Sequence, residues 1–266
     1  MVKQIEKPVK ASKPGTPAVR AFVRGLDIIR ALGGRQGGMS LSEVARAVEL
    51  DRATTRRFLL TLLSEGYLRL EGRTFFLAPK VLDLGYAYLA SSPLREIAVP
   101  YLKQVAAETR QGCSFGILDD NDVLYLGSEQ SASRIIGRQI GAGVRLPAYC
   151  TSIGRIVLGS LASEELEAYG ERVRFVRHTA HTLTYWPDIR KAVEAGRAQG
   201  WVFVDQELED GLRSLAVPVK DRNSRIVAGI NVSALASRLE SKSDIAKSLK
   251  TLQRAALGIE QALRLR

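Results

Sequence analysis

The sequence predicts an α+β protein of two parts, a winged helix-turn-helix followed by a larger domain built on an antiparallel sheet. Three observations lead to this fold class. Residues 1–80 carry 15 Lys and Arg against 7 Asp and Glu, a net charge of +8, whereas the remaining 186 residues carry 24 against 21, a net charge of +3. Three short helical patterns and a ribbon-like pattern follow one another before residue 80. The later strand patterns follow in meander order with helices between them.

The first two helices are predicted from spacing and capping. Apolar side chains recur at helical spacing over residues 19–32, and Gly33 and Gly34 end the pattern. A second helix opens at Ser40, because Ser40 and Glu43 have the S-x-x-E spacing of a capping box. This helix is only about ten residues long, since a new start signal follows it at Asp51.

A third helix and a hairpin complete the basic part of the chain. Asp51 is a good N-cap for a helix over residues 52–65, and Gly66 suits the left-handed position that ends it. Residues 67–70 and 74–77 alternate in polarity around a turn that contains Gly72, which is typical of a hairpin. Two helices, a tight turn, a third helix and a two-stranded ribbon make the winged helix-turn-helix arrangement.

In that arrangement the third helix enters the major groove of DNA with its N-terminal residues facing the bases. Arginine can bind guanine or phosphate with two hydrogen bonds, and threonine can reach phosphate oxygens or a thymine methyl group. The predicted DNA-binding residues are Arg52, Thr54, Thr55, Arg56 and Arg57 on the helix and Arg73 at the hairpin tip. The alternative is an ordinary solvated basic face, but the order of the elements and the uneven charge favour DNA binding.

The predicted domains are a disordered tail at 1–18, the winged helix-turn-helix at 19–80, a linker helix at 81–95 and a second domain at 96–266. The linker helix has an apolar face that would suit dimer contacts. Strands are expected at 113–118, 123–127, 134–140, 201–205, 212–218 and 226–233, and helices at 94–108, 151–160, 164–169, 188–199 and 239–265. The sequence has no membrane-length apolar run and no secretory signal, so a cytoplasmic protein is expected.

Neither metal binding nor a cofactor is expected. His178 and His181 are the only histidines, and a metal site needs three or four ligands. The cysteines, Cys113 and Cys150, form no metal-binding or redox motif and are interpreted as small buried side chains. There is no nucleophile elbow and no phosphate-binding glycine loop.

An acidic stretch leaves one enzymatic alternative open. Asp205, Glu207, Glu209 and Asp210 could support acid–base chemistry, which would make the chain a small-molecule hydrolase or lyase with an appended basic domain. The favoured interpretation is an acidic turn whose charges are balanced by Arg213 and its neighbours. A third possibility, a structural DNA-binding protein without a ligand, fits poorly with the nearly neutral second domain.

The second domain carries four motifs that together are specific. These are YCTSIGRIVL at 149–158, HTAHTLT at 178–184, GWVFVDQELEDGLRSLAVPV at 200–219 and IVAGINVSA at 226–234. With the N-terminal motifs they resemble the IclR family of bacterial transcriptional regulators over residues 19–264. The third motif is most similar to regulators of protocatechuate, 4-hydroxybenzoate and β-ketoadipate catabolism. The resemblance implies a GAF-like effector domain, a homodimer or homotetramer, operator DNA as a partner and a small organic or aromatic acid as the effector.

The resemblance also implies where the effector binds. One side of the cleft is the start of a helix, whose free amides and dipole favour a carboxylate. The implied effector residues are Tyr149, Thr151, Ser152 and Ile153 at this start, and Val204, Asp205, Ser214, Asn231 and Ser233 across the cleft. Many family members have Ser where Asn231 stands, and some have an acid where Val204 stands. Arg213 is expected to form a structural ion pair with the loop acids Glu207 and Glu209.

Overall fold

The computed structural model describes residues 19–35, 37–91, 93–129 and 140–265. The predicted tail at 1–18 and residues 134–139 of the predicted strand lie outside these ranges. Contacts divide the chain into two compact units, with the division between Tyr88 and Leu89, inside the predicted linker. None of the helices in the described ranges combines the length and the apolar character needed to cross a membrane.

The N-terminal unit is a small helical domain with a three-stranded antiparallel sheet. Its elements are α1 Arg20–Gly33, β1 Met39–Ser40, α2 Leu41–Ala47, α3 Arg52–Ser64, β2 Leu68–Glu71 and β3 Thr74–Leu77. The strand order is β1-β3-β2. The short strand β1 therefore pairs with β3 and extends the hairpin of β2 and β3 to three strands. Its core joins Ile28, Val44, Leu59 and Phe75, one from each of α1, α2, α3 and β3.

Local signals fix the ends of these elements. Ser40 Oγ accepts from the Glu43 amide while the Glu43 carboxylate accepts from the Ser40 amide, so the predicted capping box is present. Asp51 accepts a 2.8 Å hydrogen bond from the Thr54 amide at the start of α3. Gly66 has φ +76°, the left-handed conformation that glycine adopts without strain.

The helix α4 spans Val81–Ser91, and the elements after it form the C-terminal unit. These are α5 Pro93–Thr109, β4 Gly112–Asp119, β5 Asp122–Glu129, β6 Arg145–Pro147, α6 Ser152–Leu158, α7 Ser163–Arg172, α8 Trp186–Gln199, β7 Val202–Asp205, β8 Leu212–Lys220, β9 Ile226–Leu235 and α9 Lys242–Arg264. The strands form one antiparallel six-stranded sheet in the order β6-β5-β4-β9-β8-β7. The α+β fold class with a winged helix-turn-helix and an antiparallel sheet is therefore confirmed.

Each face of the sheet is covered by helices, and each has its own core. The face packed against α5 and α9 buries side chains such as Phe115, Leu215 and Leu252. The face packed against α6 and α8 buries side chains such as Ile153, Val193 and Val204. Successive residues of a strand point to opposite faces, so the side chains of every second residue lie in the same layer. This rule determines which of the predicted effector residues can meet.

Candidate functional sites

The exposed face of α3 is basic. Arg52, Ala53, Arg56, Arg57 and Leu60 are the exposed residues between the first residue of α3 and its ninth. These positions are one, three or four residues from the next ones, a spacing that places them on one side of the helix. Ala53 and Leu60 belong to this face although they were not among the predicted DNA-binding residues.

Thr55 is not on this face, and the prediction that it contacts DNA is wrong. Its side chain is 0% exposed, and its hydroxyl donates a 2.8 Å hydrogen bond to the Asp51 carbonyl oxygen. A threonine can occupy a helical core position when its hydroxyl is bound to the backbone one turn earlier. Thr54 is half-buried and lies at the edge of the exposed face.

The arginines of this unit differ in whether they have an acidic partner. Arg30, Arg35 and Arg69 each form an ion pair with a nearby acid. By contrast, within the described part of the chain no acidic group lies within 4.0 Å of the guanidinium groups of four exposed arginines. These are Arg52, Arg56 and Arg57 on α3 and Arg73 in the turn between β2 and β3. Their charges are free for an external anion, and a guanidinium fork suits phosphate and guanine.

A second candidate site lies in the C-terminal unit, where α6 meets the sheet. Asn231 of β9 is 3% exposed, and both ends of its side-chain amide are hydrogen-bonded. Its Nδ2 donates to Ser152 Oγ at 3.3 Å and to Ser233 Oγ at 3.1 Å, and its Oδ1 accepts from the Ser114 amide at 3.2 Å. This amide joins the start of α6 to two neighbouring strands. Ser114 was not predicted as a site residue.

Three predicted residues form a row across this face of the sheet. Val204, Ser214 and Ser233 stand opposite one another in the register of β7, β8 and β9. Val204 packs in the same buried cluster as Ile153 of α6. Two hydroxyl groups and one apolar side chain therefore face the start of α6, a combination that suits a small molecule with polar and apolar parts.

The start of α6 is tightly built. Thr151 Oγ1 accepts from the Gly154 amide at 3.2 Å and donates to the Pro147 carbonyl at 3.0 Å. A Cβ on Gly154 would stand 2.1 Å from the Ala148 carbonyl oxygen, so only glycine fits this close approach of two backbones. Ser152 and Ile153 are almost completely buried, which fixes the first turn of the helix.

Tyr149 connects this region to the segment with the two histidines. Its hydroxyl donates to the Val176 carbonyl at 2.7 Å, accepts from the Val176 amide at 3.0 Å and lies 3.0 Å from His178 Nε2. Burial raises the pKa of the Tyr149 phenol above its usual value, so the hydroxyl keeps its proton and can donate this hydrogen bond. Metal binding by His178 was not expected from the sequence, and its position beside Tyr149 could not be predicted from spacing.

The structure does not bring Asp205 together with the other predicted effector residues. Asp205 stands next to Val204 in β7 and therefore points to the opposite face of the sheet. There its carboxylate accepts two hydrogen bonds from Arg213, at 2.7 and 3.1 Å. The hydrogen bond from Arg213 holds the pKa of the Asp205 carboxyl below its usual value. Arg213 forms the expected structural ion pair, but its partner is Asp205 and not Glu207 or Glu209.

Glu207 is paired instead with Arg155, which the sequence interpretation did not single out. Arg155 Nη2 donates to Glu207 Oε2 at 2.6 Å, and the two side chains are 4% and 8% exposed. Arg155 Nε also donates to the Tyr149 carbonyl, and Glu207 accepts from the Leu183 amide. An arginine inside the apolar run IGRIVL was the available signal, because a buried charge needs a partner.

These contacts leave no shared carboxylate pair for catalysis. Asp205 and Glu207 bind different arginines. Within the described ranges no group of three His, Cys, Asp or Glu side chains could hold a metal ion. Burial raises the pKa of the Cys150 thiol to about 12, which keeps it protonated and weakly nucleophilic.

Both units of the chain match known protein families. The profile of the IclR helix-turn-helix domain matches residues 21–72, and that of the bacterial transcriptional regulator IclR C-terminal domain matches residues 86–261. The chain is 39% identical over 219 residues to the Pca regulon regulatory protein of Pseudomonas putida, covering 82% of this chain and 75% of that protein.

Solved structures agree with the fold. A candidate transcriptional regulator from Rhodococcus sp. RHA1 superposes with a TM-score of 0.82 at 41% identity, over 92% of this chain and 98% of the other. An IclR homologue from Microbacterium hydrocarbonoxydans, solved in complex with 4-hydroxybenzoate, superposes with a TM-score of 0.79 at 21% identity, over 92% and 100% of the two chains. At that lower identity the likeness concerns the fold alone.

Proposed function

The chain belongs to the IclR family of bacterial transcriptional regulators, and we propose that it controls the catabolism of protocatechuate or a related aromatic acid. It binds operator DNA through its N-terminal unit and a small organic acid through its C-terminal unit. The enzymatic alternative at residues 205–210 is not supported, because the matching profiles and relatives are regulators and because Asp205 and Glu207 are each held by an arginine.

The observation that carries the DNA-binding proposal is the set of unpaired arginines on the exposed face of α3. Arg52, Arg56 and Arg57 project from the helix that a winged helix-turn-helix inserts into the major groove. Thr54 lies at the edge of the same face, and Arg73 in the hairpin turn contacts the DNA backbone or the minor groove. Thr55 is left out of this assignment, since it is buried.

The effector proposal rests on the polar region between α6 and the sheet. The effector contacts are assigned to Tyr149, Thr151, Ser152, Ile153, Val204, Ser214, Asn231 and Ser233. Hydroxyl and amide groups there can bind the polar groups of an acid, and Val204 and Ile153 can contact its ring. The 4-hydroxybenzoate in the complex of the Microbacterium homologue and the name of the Pseudomonas relative support the choice of an aromatic acid.

The proposal includes a homodimer or homotetramer that acts in the cytoplasm on a pseudo-palindromic operator. The helix α4 supports contact between copies, since Leu82 and Tyr86 on it are 73% and 70% exposed. Large apolar side chains at the surface commonly mark an interface. The domain limits of 19–80, 81–95 and 96–266 are part of this proposal.

A mobility-shift titration tests both parts. The full-length protein is titrated onto the DNA upstream of its own coding region across a salt series, with protocatechuate, 4-hydroxybenzoate, β-ketoadipate or no acid. We expect a sequence-specific shift that weakens with salt, because released counterions drive the phosphate contacts. We also expect one of the acids to change the midpoint. Binding no stronger than to random DNA would contradict the regulator proposal, and a specific shift that no acid changes would contradict the effector assignment.

Fluorescence offers an independent measurement of the effector. The Trp186 ring stacks on Phe175 at 5.9 Å, and Phe175 meets Tyr149 edge-on at 5.2 Å. Trp201 packs on the other face of the sheet. In the Trp201→Phe variant, the emission of Trp186 should change when the acid binds beside Tyr149. No change with any acid that alters the mobility shift would place the effector elsewhere.

A further inference from the structure

A polar cleft of about 420 Å³ lies on the opposite side of the sheet from the proposed effector site. Its walls are the C-terminal end of α5, the residues leading into β4, the segment after β9 and the first turns of α9. We call it the Gln111 cleft, and six of its lining residues matter here: Glu108, Arg110, Gln111, Arg238, Asp244 and Lys247. All of them belong to the C-terminal unit.

Gln111 is the feature that points to a ligand. It is only 7% exposed, and its Oε1 atom has no hydrogen-bond partner among the residues that the structure describes. It is the single buried side-chain oxygen or nitrogen in those residues with this property. A buried amide oxygen without a donor is unfavourable, and such a group in a folded protein calls for an explanation such as a water or a ligand.

The charges around Gln111 favour an anion. Arg110, Arg238 and Lys247 are exposed, and in the described part of the chain no acid lies within 4.0 Å of their charged groups. The two acids of the cleft already have partners. Glu108 pairs with Arg254, and Asp244 accepts a 2.5 Å hydrogen bond from the Ser241 hydroxyl as part of the α9 cap. The cleft therefore presents three cations without an acidic partner against one acid, Asp244, whose partner is a neutral hydroxyl, so the net charge of its lining is positive.

We propose that the Gln111 cleft binds a small hydroxy-dicarboxylate, independently of the effector site. Arg110 and Arg238 each offer a fork that matches one carboxylate, and Lys247 adds a third positive charge. The ligand's hydroxyl donates to Gln111 Oε1, the buried oxygen that has no donor among the described residues. The volume suits this class, since 420 Å³ corresponds to roughly a dozen water molecules.

Calorimetric titration of the full-length protein tests the proposal with three probes. L-Malate has two carboxylates and a hydroxyl, succinate lacks only the hydroxyl, and inorganic phosphate is an anion of another shape. We expect L-malate to bind about fivefold or more tightly than succinate, since one hydrogen bond separates them. Phosphate binding as tightly as L-malate would overturn the proposed ligand class, and so would equal binding of the two dicarboxylates.

Substitutions locate the site. Arg238→Gln and Arg110→Gln should each weaken L-malate binding about tenfold or more, because each removes a charge-assisted contact. Gln111→Leu should remove the preference for L-malate over succinate. Arg222→Gln is the matched control, since Arg222 is an exposed arginine in the turn between β8 and β9 and should leave the affinity within about twofold.

Two outcomes would overturn the assignment. One is L-malate affinity that stays unchanged in both Arg238→Gln and Arg110→Gln while circular dichroism shows all variants to be folded. The other is loss of L-malate binding in Asn231→Leu, which would place the dicarboxylate in the proposed effector site. Retained binding in Asn231→Leu separates the two sites, so this proposal can succeed or fail whatever aromatic acids do at the effector site.

Discussion

The arginines on α3 and two arginines of the C-terminal unit, Arg155 and Arg213, have opposite surroundings. On α3 the side chains of Arg52, Arg56 and Arg57 are exposed and have no acidic partner among the described residues. In the C-terminal unit Arg155 is buried against Glu207, and Arg213 is held by Asp205. The same residue type is therefore available to an external anion on α3, and it binds parts of the fold together at Arg155 and Arg213.

The difference shows that a basic residue must be judged by its partners. A buried arginine without a carboxylate would be strongly destabilising, so Arg155 has value only together with Glu207. An exposed arginine without a carboxylate costs the fold little, which leaves its binding energy for DNA. Substitutions can test this difference. Changes at the buried Arg155–Glu207 pair should affect folding, and changes at the α3 arginines should affect DNA binding.

The largest expected effect is on the stability of the C-terminal unit. Glu207→Ala leaves the Arg155 charge buried without its partner and should lower the free energy of unfolding by about 3–5 kcal/mol. Urea unfolding followed by tryptophan fluorescence measures this unit alone, because both tryptophans, Trp186 and Trp201, lie in it.

Glu209→Ala is the control for this experiment, since Glu209 is a half-exposed acid two residues away. It should change the free energy of unfolding by about 0.5 kcal/mol or less. The double variant Arg155→Met with Glu207→Leu should recover much of the loss, because two apolar side chains can replace a buried ion pair. Equal effects of Glu207→Ala and Glu209→Ala would show that the buried pair does not stabilise this unit.

The next effect is on DNA binding. Arg56→Ala and Arg57→Ala should each cost about 1–3 kcal/mol of operator-binding free energy if the side chain contacts a base, and should relax specificity at that base. A phosphate contact would instead weaken binding to all sequences and reduce the salt dependence. Quantitative mobility shifts with operator and random DNA distinguish these cases.

Arg30→Ala provides the comparison for these variants. It removes the same charge from the same unit, but Arg30 is paired with Asp27. Its effect on operator binding should be clearly smaller than that of either α3 variant. If all three substitutions weakened binding alike, net charge and not the position on α3 would determine affinity.

A smaller effect separates two neighbouring threonines. Thr55→Val keeps the buried shape but removes the hydroxyl that donates to the Asp51 carbonyl, so it should cost about 1 kcal/mol of stability. Operator affinity should stay the same in the folded protein. Thr54→Val, at the half-exposed neighbour, should weaken operator binding and leave the stability of the N-terminal unit unchanged.

Hydrogen exchange of the amides in α1, α2 and α3 measures this stability in the N-terminal unit, which contains no tryptophan. Faster exchange in Thr54→Val than in Thr55→Val would reverse the assignment of the two threonines.

Sequence alone was sufficient where the determining signals are local. The capping box of Ser40 and Glu43, the Asp51 cap and the left-handed Gly66 are set by residues no more than a few positions apart. The order of helices and ribbon then predicts the winged helix. The strand β6 was missed, since the three residues Arg145–Pro147 are too few for a periodic pattern.

The candidate sites depend on contacts that sequence distance hides. Arg155 and Glu207 are 52 residues apart, so neither indicates the other. Val204 and Asp205 are adjacent, yet the alternation of a strand sends them to opposite faces, and a shift of one residue would exchange them. Thr55 was misjudged because threonine is polar, although the phase of α3 places it beside Leu59 in the interior.

The smallest effect concerns the ion pair at the surface of the C-terminal unit. The side chains of Asp205 and Arg213 are 43% and 20% exposed, so solvent screens their attraction. Asp205→Asn should cost at most about 1 kcal/mol at pH 7, whereas Asp210→Asn, at an exposed position, should cost nothing measurable. The difference should also depend on pH in a defined direction.

The hydrogen bond from Arg213 lowers the pKa of Asp205 in the folded protein below the value of 3.8 for a free aspartate. A lowered pKa contributes stability that is present above pH 3.8 and is lost as the pH falls through the folded-state pKa. The difference in the free energy of unfolding between wild type and Asp205→Asn should therefore stay constant from pH 7 to about pH 5 and decrease below that pH. A gap that widens toward acid would mean that Arg213 stabilises the protonated carboxyl, and the contrast between paired and unpaired arginines would then fail at this pair.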